Sequence, residues 1–412
     1  MHVAMLSPVA PAHMRGGIPD LVWSLARGLT ARGCRVHLVT TAHPTGVREE
    51  SAAGVSLRYL GPDSRSLELH GLHPRWMRES RAAVEALHAL APLDVIHSQS
   101  YCGIHLVGAI PGVPVVATLH GTHVDELRTR ARLARENLPR HPLAAARVAA
   151  QWALMAARYT REGPRLARCA GVIATSREQR AILLRHYRVP AERLYDVWNG
   201  IDTELFVPRP ADAGLRARLT GDSAFPLVLA VARLYQDKGI QHALAAWPLV
   251  LESLPAARLV VIGDGPYRGA LESLVTSLGL TGHVRFPGEV ALEELPAYYA
   301  AADAFVNPTV RINGYDLTIL QAMACARPVV VSNIGSVPTA VADDVDGLLA
   351  PPGDRRALAA RLLEALRDPD RGRALGEAAC RKVRERFSVE AMVDGTLSVY
   401  RAARDGAGGS GR

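Results

Sequence analysis

Two cations stand out for the chemistry they could do. The segment Val231-Ala-Arg-Leu-Tyr-Gln-Asp-Lys-Gly239 carries Arg233 at the end of an apolar run and Lys238 just before a helical pattern. Paired cations at the carboxyl end of a strand, beside helix amides, suit a diphosphate. They neutralise charge in the ground state, and more of it as a phosphate departs. Only Lys238 and Lys382 are lysines among 48 basic residues, so position 238 reads as one that demands a compact point charge. A solvated surface pair is the plain alternative, and the segment alone does not decide between them. Two further segments end apolar runs. Val261-Ile-Gly-Asp-Gly-Pro266 does so with Gly263 and Gly265, either for close backbone approach to a ligand or as a simple turn. Asn307 to Val331 begins as a polar loop and runs into a helix near Leu317, with Gln321 one turn inside. The amides near Gly314–Leu317 would face outward, free for anionic or hydroxylic groups.

The elements that must position these residues alternate from end to end. Strand-like runs are His2–Ser7, Arg35–Thr40, Val95–His97, Val115–Leu119 and Val172–Thr175. Gly16, Gly17 and Pro19 precede a helical face marked by Leu21, Leu25 and Leu29. The pattern restarts with strands at Leu227–Ala232, Arg258–Ile262, Val284–Phe286, Ala304–Asn307, Val329–Val331 and Gly347–Ala350. Helices are expected around Gln241–Leu251, Tyr267–Leu278, Leu292–Ala302 and Leu317–Cys325. Strand, crossover, strand is the signature of parallel α/β structure. The fold class read here is α/β, with two Rossmann-like doubly wound domains facing each other across a cleft. Ligands are expected at the carboxyl ends of the strands. The split falls near Phe206–Asp212, where Pro208 and Pro210 flank Arg209. The expected domains are 1–205, 206–385, a last helix over 386–405 (Val389–Arg404) and a disordered Gly/Ser-rich tail at 406–412.

Composition narrows the function. With 412 residues, 49% hydrophobic and 21% charged, the chain suits two soluble domains with large cores. The arginine skew reads as codon bias, and aromatics at 5% provide no stacking platform, so no nucleic-acid partner is expected. No apolar run reaches membrane-spanning length, and Met1–Pro8 lacks the pattern of a signal peptide, so a cytoplasmic location is expected. Cys34, Cys102, Cys169, Cys325 and Cys380 are odd in number and scattered, and read as small buried thiols. No metal-ligand spacing is present, and metal-independent chemistry with no cofactor is expected.

The order of these pieces resembles the GT-B fold retaining glycosyltransferases of family 4, the glycosyl transferases group 1. The resemblance covers nearly the whole chain. It rests on Gly16-Gly17, Val95-Ile-His97, Thr118-Leu-His-Gly121, Val172-Ile-Ala-Thr-Ser176, Asn199-Gly-Ile-Asp202 and Arg233…Lys238. It continues through Ile262-Gly-Asp-Gly-Pro266, Ala322-Met-Ala324, Gly335-Ser-Val-Pro338 and Asp346-Gly-Leu-Leu-Ala-Pro-Pro-Gly353. Each piece is weak alone, and their joint order is specific. The resemblance implies that the C-terminal domain holds a nucleotide-activated sugar, UDP- or GDP-linked, and that the N-terminal domain binds the acceptor. Arg233 and Lys238 would grip the diphosphate, and Gly16-Gly17 would close on phosphates or acceptor. His120 would lie beside the donor sugar and act in catalysis. Gly263 and the backbone around Phe286 would serve donor binding, as would Asn313, Gly314, Tyr315, Asp316, Leu317 and Gln321. His97 ends a strand on the same side and reads as a support for the loop through hydrogen bonds. The last helix would cross back onto the N-terminal domain.

One departure is specific to this chain. The family usually carries two glutamates in this loop, one beside the sugar hydroxyls and one on the ribose; here the positions are Asn313 and Gln321. An amide still hydrogen-bonds a hydroxyl but without the charge that strengthens the bond. Asp316 stands where the family has glycine, either as a relocated carboxylate for the sugar or as a cap on the helix. A second departure, Thr339 in place of a common glutamate, has no explanation. The expected function is transfer of a sugar to a small-molecule acceptor, in secondary-metabolite or antibiotic assembly, with an S- or N-linked acceptor among the options. A membrane glycolipid acceptor such as a phosphoinositide is the alternative. Further alternatives are a nucleotide-sugar-binding protein without transfer activity and a sugar-nucleotide epimerase. Arg128 to Arg168 holds ten arginines and a helical stretch, Leu143–Tyr159, whose apolar face either touches lipid or, as favoured here, packs on its own domain.

Overall fold

The computed structural model describes residues 1–13, 16–63, 73–137, 142–312 and 314–409. The chain divides into two compact units, Met1–Gly200 with Val389–Arg412, and Ile201–Ser388. The first passage between units therefore lies upstream of the proline-flanked stretch Phe206–Asp212.

The first unit is an eight-stranded sheet in the order β3-β4-β2-β1-β5-β6-β7-β8. Its strands are β1 His2–Leu6, β2 Arg35–Thr41, β3 Glu49–Ala52, β4 Val55–Leu60, β5 Val95–Gln99, β6 Val115–Leu119, β7 Gly171–Ala174 and β8 Leu194–Asp196. All pairings are parallel except β3 with β4. A parallel sheet is covered on both faces, which is why β5, β6 and β7 are buried at every residue, β6 and β7 as largely apolar runs and β5 with the polar residues His97, Ser98 and Gln99 at its carboxyl end. Helices α1 Ile18–Ala31, α2 Pro74–Leu90, α3 His123–Asn137, α4 Pro142–Leu166 and α5 Arg177–Arg185 complete the layers. The expected stretch Leu143–Tyr159 lies in α4; the side chains of 142–149, 151 and 152 are outside the described residues.

The second unit is a six-stranded, wholly parallel sheet, β11-β10-β9-β12-β13-β14. Its strands are β9 Leu227–Val231, β10 Arg258–Ile262, β11 Val284–Gly288, β12 Ala304–Asn307, β13 Val329–Ser332 and β14 Leu348–Ala350. Its helices are α6 Ala213–Thr220, α7 Ile240–Ser253, α8 Arg268–Ser277, α9 Leu295–Ala301, α10 Leu317–Ala324, α11 Val337–Ala340, α12 Arg355–Arg367 and α13 Pro369–Arg386. Helix α10 is buried from Ile319 to Ala324, and apart from Thr318 and Gln321 its sequence is apolar. All five cysteines are buried and unpaired.

The last helix, α14 Val389–Gly409, belongs to the first unit, where it packs on α1. A Cβ on Gly28 of α1 would lie 2.4 Å from Val393 Cγ2, so the glycine is what lets the two helices approach. Tyr400, fully buried, ties α14 to the sheet through its hydroxyl, 2.6 Å from His97 Nδ1. The other ring nitrogen, Nε2, lies 2.8 Å from Thr118 Oγ1. His97 is therefore a strut between strands and final helix. The tail expectation needs correction: α14 runs to Gly409, so residues 406–409 are helical and not disordered, and 410–412 lie outside the described residues.

Burial fixes the charge state of three histidines in this unit. His97 is pushed down to about 3, and His105 and His120 to about 4, in each case chiefly because the interior disfavours the cation. A base lowered in the fold is neutral there while the unfolded chain still takes up protons near pH 6.5. Its stabilisation is complete above that value and lost as pH falls toward 4. The unfolding midpoint of the first unit should thus drop steeply between pH 6.5 and 4, followed by calorimetry across that range. A midpoint constant from pH 7 to 4.5 would contradict this account.

Candidate active site

In a doubly wound sheet, the crevice forms where the chain order reverses, outside the carboxyl ends of the strands. In the second unit the reversal lies between β9 and β12. The loops that leave these two strands hold the predicted cations and the polar segment. After β9 comes Arg233, exposed, its guanidinium 5.6 Å from the ring centre of Tyr235. A single 3₁₀ turn, Gln236–Lys238, then delivers Lys238 into a buried position, 8% exposed. Gly239 follows with φ 73° and opens α7. A Cβ there would stand 1.9 Å from the carbonyl oxygen of Pro308, in the loop after β12, so only glycine fits. The two loops are stitched further: Asp237 O accepts from Val310 N at 3.0 Å and from Thr309 Oγ1 at 3.1 Å.

The Lys238 ammonium forms an ion pair with Asp316 Oδ1. Asp316 Oδ2 accepts from Asn307 Nδ2 at 2.9 Å. Burial pushes the Asp316 carboxyl up, but Lys238 outweighs it, with Asn307 and Arg311 adding, and the group is held below the usual carboxylate range. Asp316 occupies the N-cap position of α10, yet its side chain accepts no helix amide. The capping alternative is thereby corrected: the carboxylate turns to Lys238 because a buried ammonium needs a counter-charge more than a helix end needs one more acceptor. Lys382, the other lysine, is likewise paired with a buried aspartate, Asp346, at 2.7 Å.

The remaining predicted donor residues spread along the same sheet edge. Gly263 follows β10, and a Cβ there would meet Ala232 O at 2.0 Å; its glycine is explained by loop-on-loop packing beside Arg233. Phe286 lies on the outer strand β11, under the Arg268 guanidinium at 5.9 Å. Gly314 has φ 68°, Tyr315 is buried with its ring edge-on to Phe387, and Leu317 begins α10. Gln321 is 8% exposed, and its Oε1 accepts from Tyr299 OH at 2.9 Å, which leaves the amide nitrogen as the group it can offer. Asn313 lies outside the described residues. Sequence reasoning missed Asn307 and Tyr299 as partners of the site. Asn307 had a signal, since it is the last residue of its strand.

In the first unit the reversal lies between β1 and β5. Gly16 and Gly17, at φ 85° and 67°, lead from β1 into α1, and a Cβ on either would meet no atom within 4 Å. That open space, beside helix amides, admits close approach of a ligand. His120 leaves β6 half-buried; its Nε2 lies 2.8 Å from Gln99 Oε1, so Nε2 carries the proton. Nδ1 is buried with no hydrogen-bond partner among the described residues. Beneath the ring is a cavity of about 10 Å³, lined by Leu21, Val22, Leu25, Gln99, Met392 and Thr396, with room for one water at most. On the same sheet edge, past the ends of β2 and β4, an open pocket of about 690 Å³ is lined by His43, Arg48, Arg58, Tyr59 and Arg75 among others. Arg58 and Arg75 are paired with Glu49 and Glu79, whereas Arg48 has no ion-pair partner among the described residues.

Among the described residues no group of three or more His, Cys, Asp or Glu could hold a metal, and no helix is long and apolar enough to cross a membrane.

Comparison with known proteins bears on this arrangement. Residues 225–368 match the family model described as glycosyl transferases group 1, and residues 15–205 match glycosyltransferase family 4. The chain is 32% identical to a D-inositol 3-phosphate glycosyltransferase from Frankia alni over 94% of this chain and 95% of that protein. It is 34% identical to a GDP-mannose-dependent α-(1-6)-phosphatidylinositol monomannoside mannosyltransferase from Mycolicibacterium smegmatis; there the match covers 46% of this chain and about half, 51%, of that relative's length. Among solved structures, sucrose-phosphate synthase from Thermosynechococcus elongatus matches with TM-score 0.79 and 26% identity over 97% of this chain and 98% of that one.

Proposed function

The chain belongs to glycosyltransferase family 4, the glycosyl transferases group 1, with the GT-B fold, and from that premise we propose that it moves a sugar from a nucleoside diphosphate sugar to a hydroxyl of a phosphorylated polyol. The observation that carries the donor half is Lys238, buried at the chain reversal of the second unit with Arg233 beside it. A diphosphate bound there meets one compact ammonium, one guanidinium and helix amides. As the glycosidic bond to the diphosphate breaks, negative charge grows on the leaving oxygen and these cations stabilise it. The acceptor hydroxyl attacks from the face the diphosphate leaves, and the departing phosphate takes its proton, with no metal or cofactor required. His120 stays neutral at pH 7, and its Nδ1 is enclosed with no hydrogen-bond partner among the described residues.

The acceptor half is supported by the name of the Frankia relative, a D-inositol 3-phosphate glycosyltransferase, and by the open pocket lined by Arg48, which has no ion-pair partner among the described residues. No observation favours antibiotic assembly or an S- or N-linked product. The donor nucleotide is UDP or GDP; the mannosyltransferase relative is GDP-mannose-dependent, which favours GDP.

Thermal shift with UDP, GDP, ADP and TDP at matched concentrations tests the donor half, since stabilisation follows affinity for the native state. GDP should raise the midpoint most; if none of the four moves it, the reading is wrong. Release of nucleoside diphosphate that requires an inositol phosphate then separates a transferase from a donor-binding protein or an epimerase.

A further inference from the structure

We propose that Asp316 competes with the donor's diphosphate for Lys238 and so sets how tightly nucleoside diphosphates are held and how readily the product leaves. This rests on the reading of Lys238 as a diphosphate ligand.

Three observations carry it. The Asp316 carboxylate is paired directly with the Lys238 ammonium, and both are largely shielded from water: the side chains are 19% and 9% exposed. The carboxylate is anchored from its other oxygen by Asn307 at 2.9 Å, so it is held in place rather than swinging in solvent. It makes no cap hydrogen bond to α10, so the helix does not require it.

A diphosphate that reaches Lys238 must therefore either displace this carboxylate or share the ammonium with it. Lysine has three donors, and sharing is geometrically open. In both cases the ligand meets a cost. Displacement breaks a charge-assisted bond, and sharing brings two anions together in a weakly solvated place. After transfer the same competition works in the other direction, because the carboxylate reclaims the ammonium as the nucleoside diphosphate departs.

The test is calorimetric titration of UDP, GDP and inorganic pyrophosphate into the full chain and its variants. Asp316→Asn removes the charge but turns one amide nitrogen toward that of Asn307; Asp316→Gly removes the side chain and serves if the first variant folds poorly, as read by circular dichroism. Either should tighten the preferred nucleoside diphosphate about tenfold or more, in line with the coupling of neighbouring charges. The gain should vanish in Lys238→Ala/Asp316→Gly, because the competed group is gone. A residue that merely positions Lys238 gives the opposite sign: unchanged or weaker binding in folded Asp316→Gly overturns the proposal. Lys238→Ala alone separates the two ideas, since wild-type affinity in that variant would mean that Lys238 is not a diphosphate ligand at all.

Discussion

Replacing Lys238 by alanine should lower kcat/KM for sugar transfer by at least about 100-fold, the usual scale for removing a group that stabilises developing charge. The loss should fall on kcat, because the charge the ammonium meets is largest as the diphosphate leaves. The substitution also strands Asp316, whose pairing with Lys238 is mostly buried. Breaking such a pair from one side costs about 3 kcal/mol, so the single variant should melt at lower temperature as well. Lys238→Met/Asp316→Asn removes both charges and should recover most of the stability while turnover stays low. That separation, read by calorimetry beside a transfer assay, distinguishes lost chemistry from lost folding. Lys238→Arg should not restore turnover, because a planar guanidinium does not reproduce the compact point charge that the ammonium presents beside Asp316. Near-normal turnover in Lys238→Ala would remove the proposed mechanism.

Gly239→Ala should be strongly damaging although it removes no side chain. The position has φ 73°, and the added methyl would stand 1.9 Å from Pro308 O and 2.7 Å from its carbonyl carbon, both backbone atoms that cannot rotate away. Left-handed strain costs about 1–2 kcal/mol, and relief of the overlap must push apart the loops after β9 and β12. The bonds from Val310 and Thr309 to Asp237 O go with them. We expect a loss of about 3 kcal/mol or more in the second unit and disappearance of the nucleotide-induced thermal shift. A midpoint within about a degree of wild type would show that the loops have slack that the packing does not reveal.

Much of the sheet was legible because burial on both faces writes strands as apolar runs; Val115–Leu119, Arg258–Ile262 and Ala304–Asn307 coincide with β6, β10 and β12. Strand β3, Glu49-Glu-Ser-Ala52, was not, since all its residues are exposed and only backbone pairing with β4 makes it a strand. Strand β4 did carry a signal, with Val55, Leu57 and Tyr59 buried in alternation, but the neighbouring charges masked it. The cations were readable from their place at a strand end. The direction of Asp316 was not. Before a helix an aspartate reads as a cap, and the partner it chose lies 78 residues earlier, in a loop that only the folded sheet brings alongside. Gln321 shows the same limit: its oxygen is spoken for by Tyr299, on another helix.

The placement of α14 has a consequence for the order in which the protein is made. The second unit is one continuous stretch, Ile201–Ser388, and can fold as soon as it clears the ribosome. The first unit begins synthesis earlier but is completed later, because Val393, Tyr400 and their neighbours come from residues 389–409. Until those residues emerge, the faces of α1, β6 and β7 that α14 covers lie bare, and His97 lacks the hydroxyl that holds it. The half that is translated first thus depends longest on protection from aggregation.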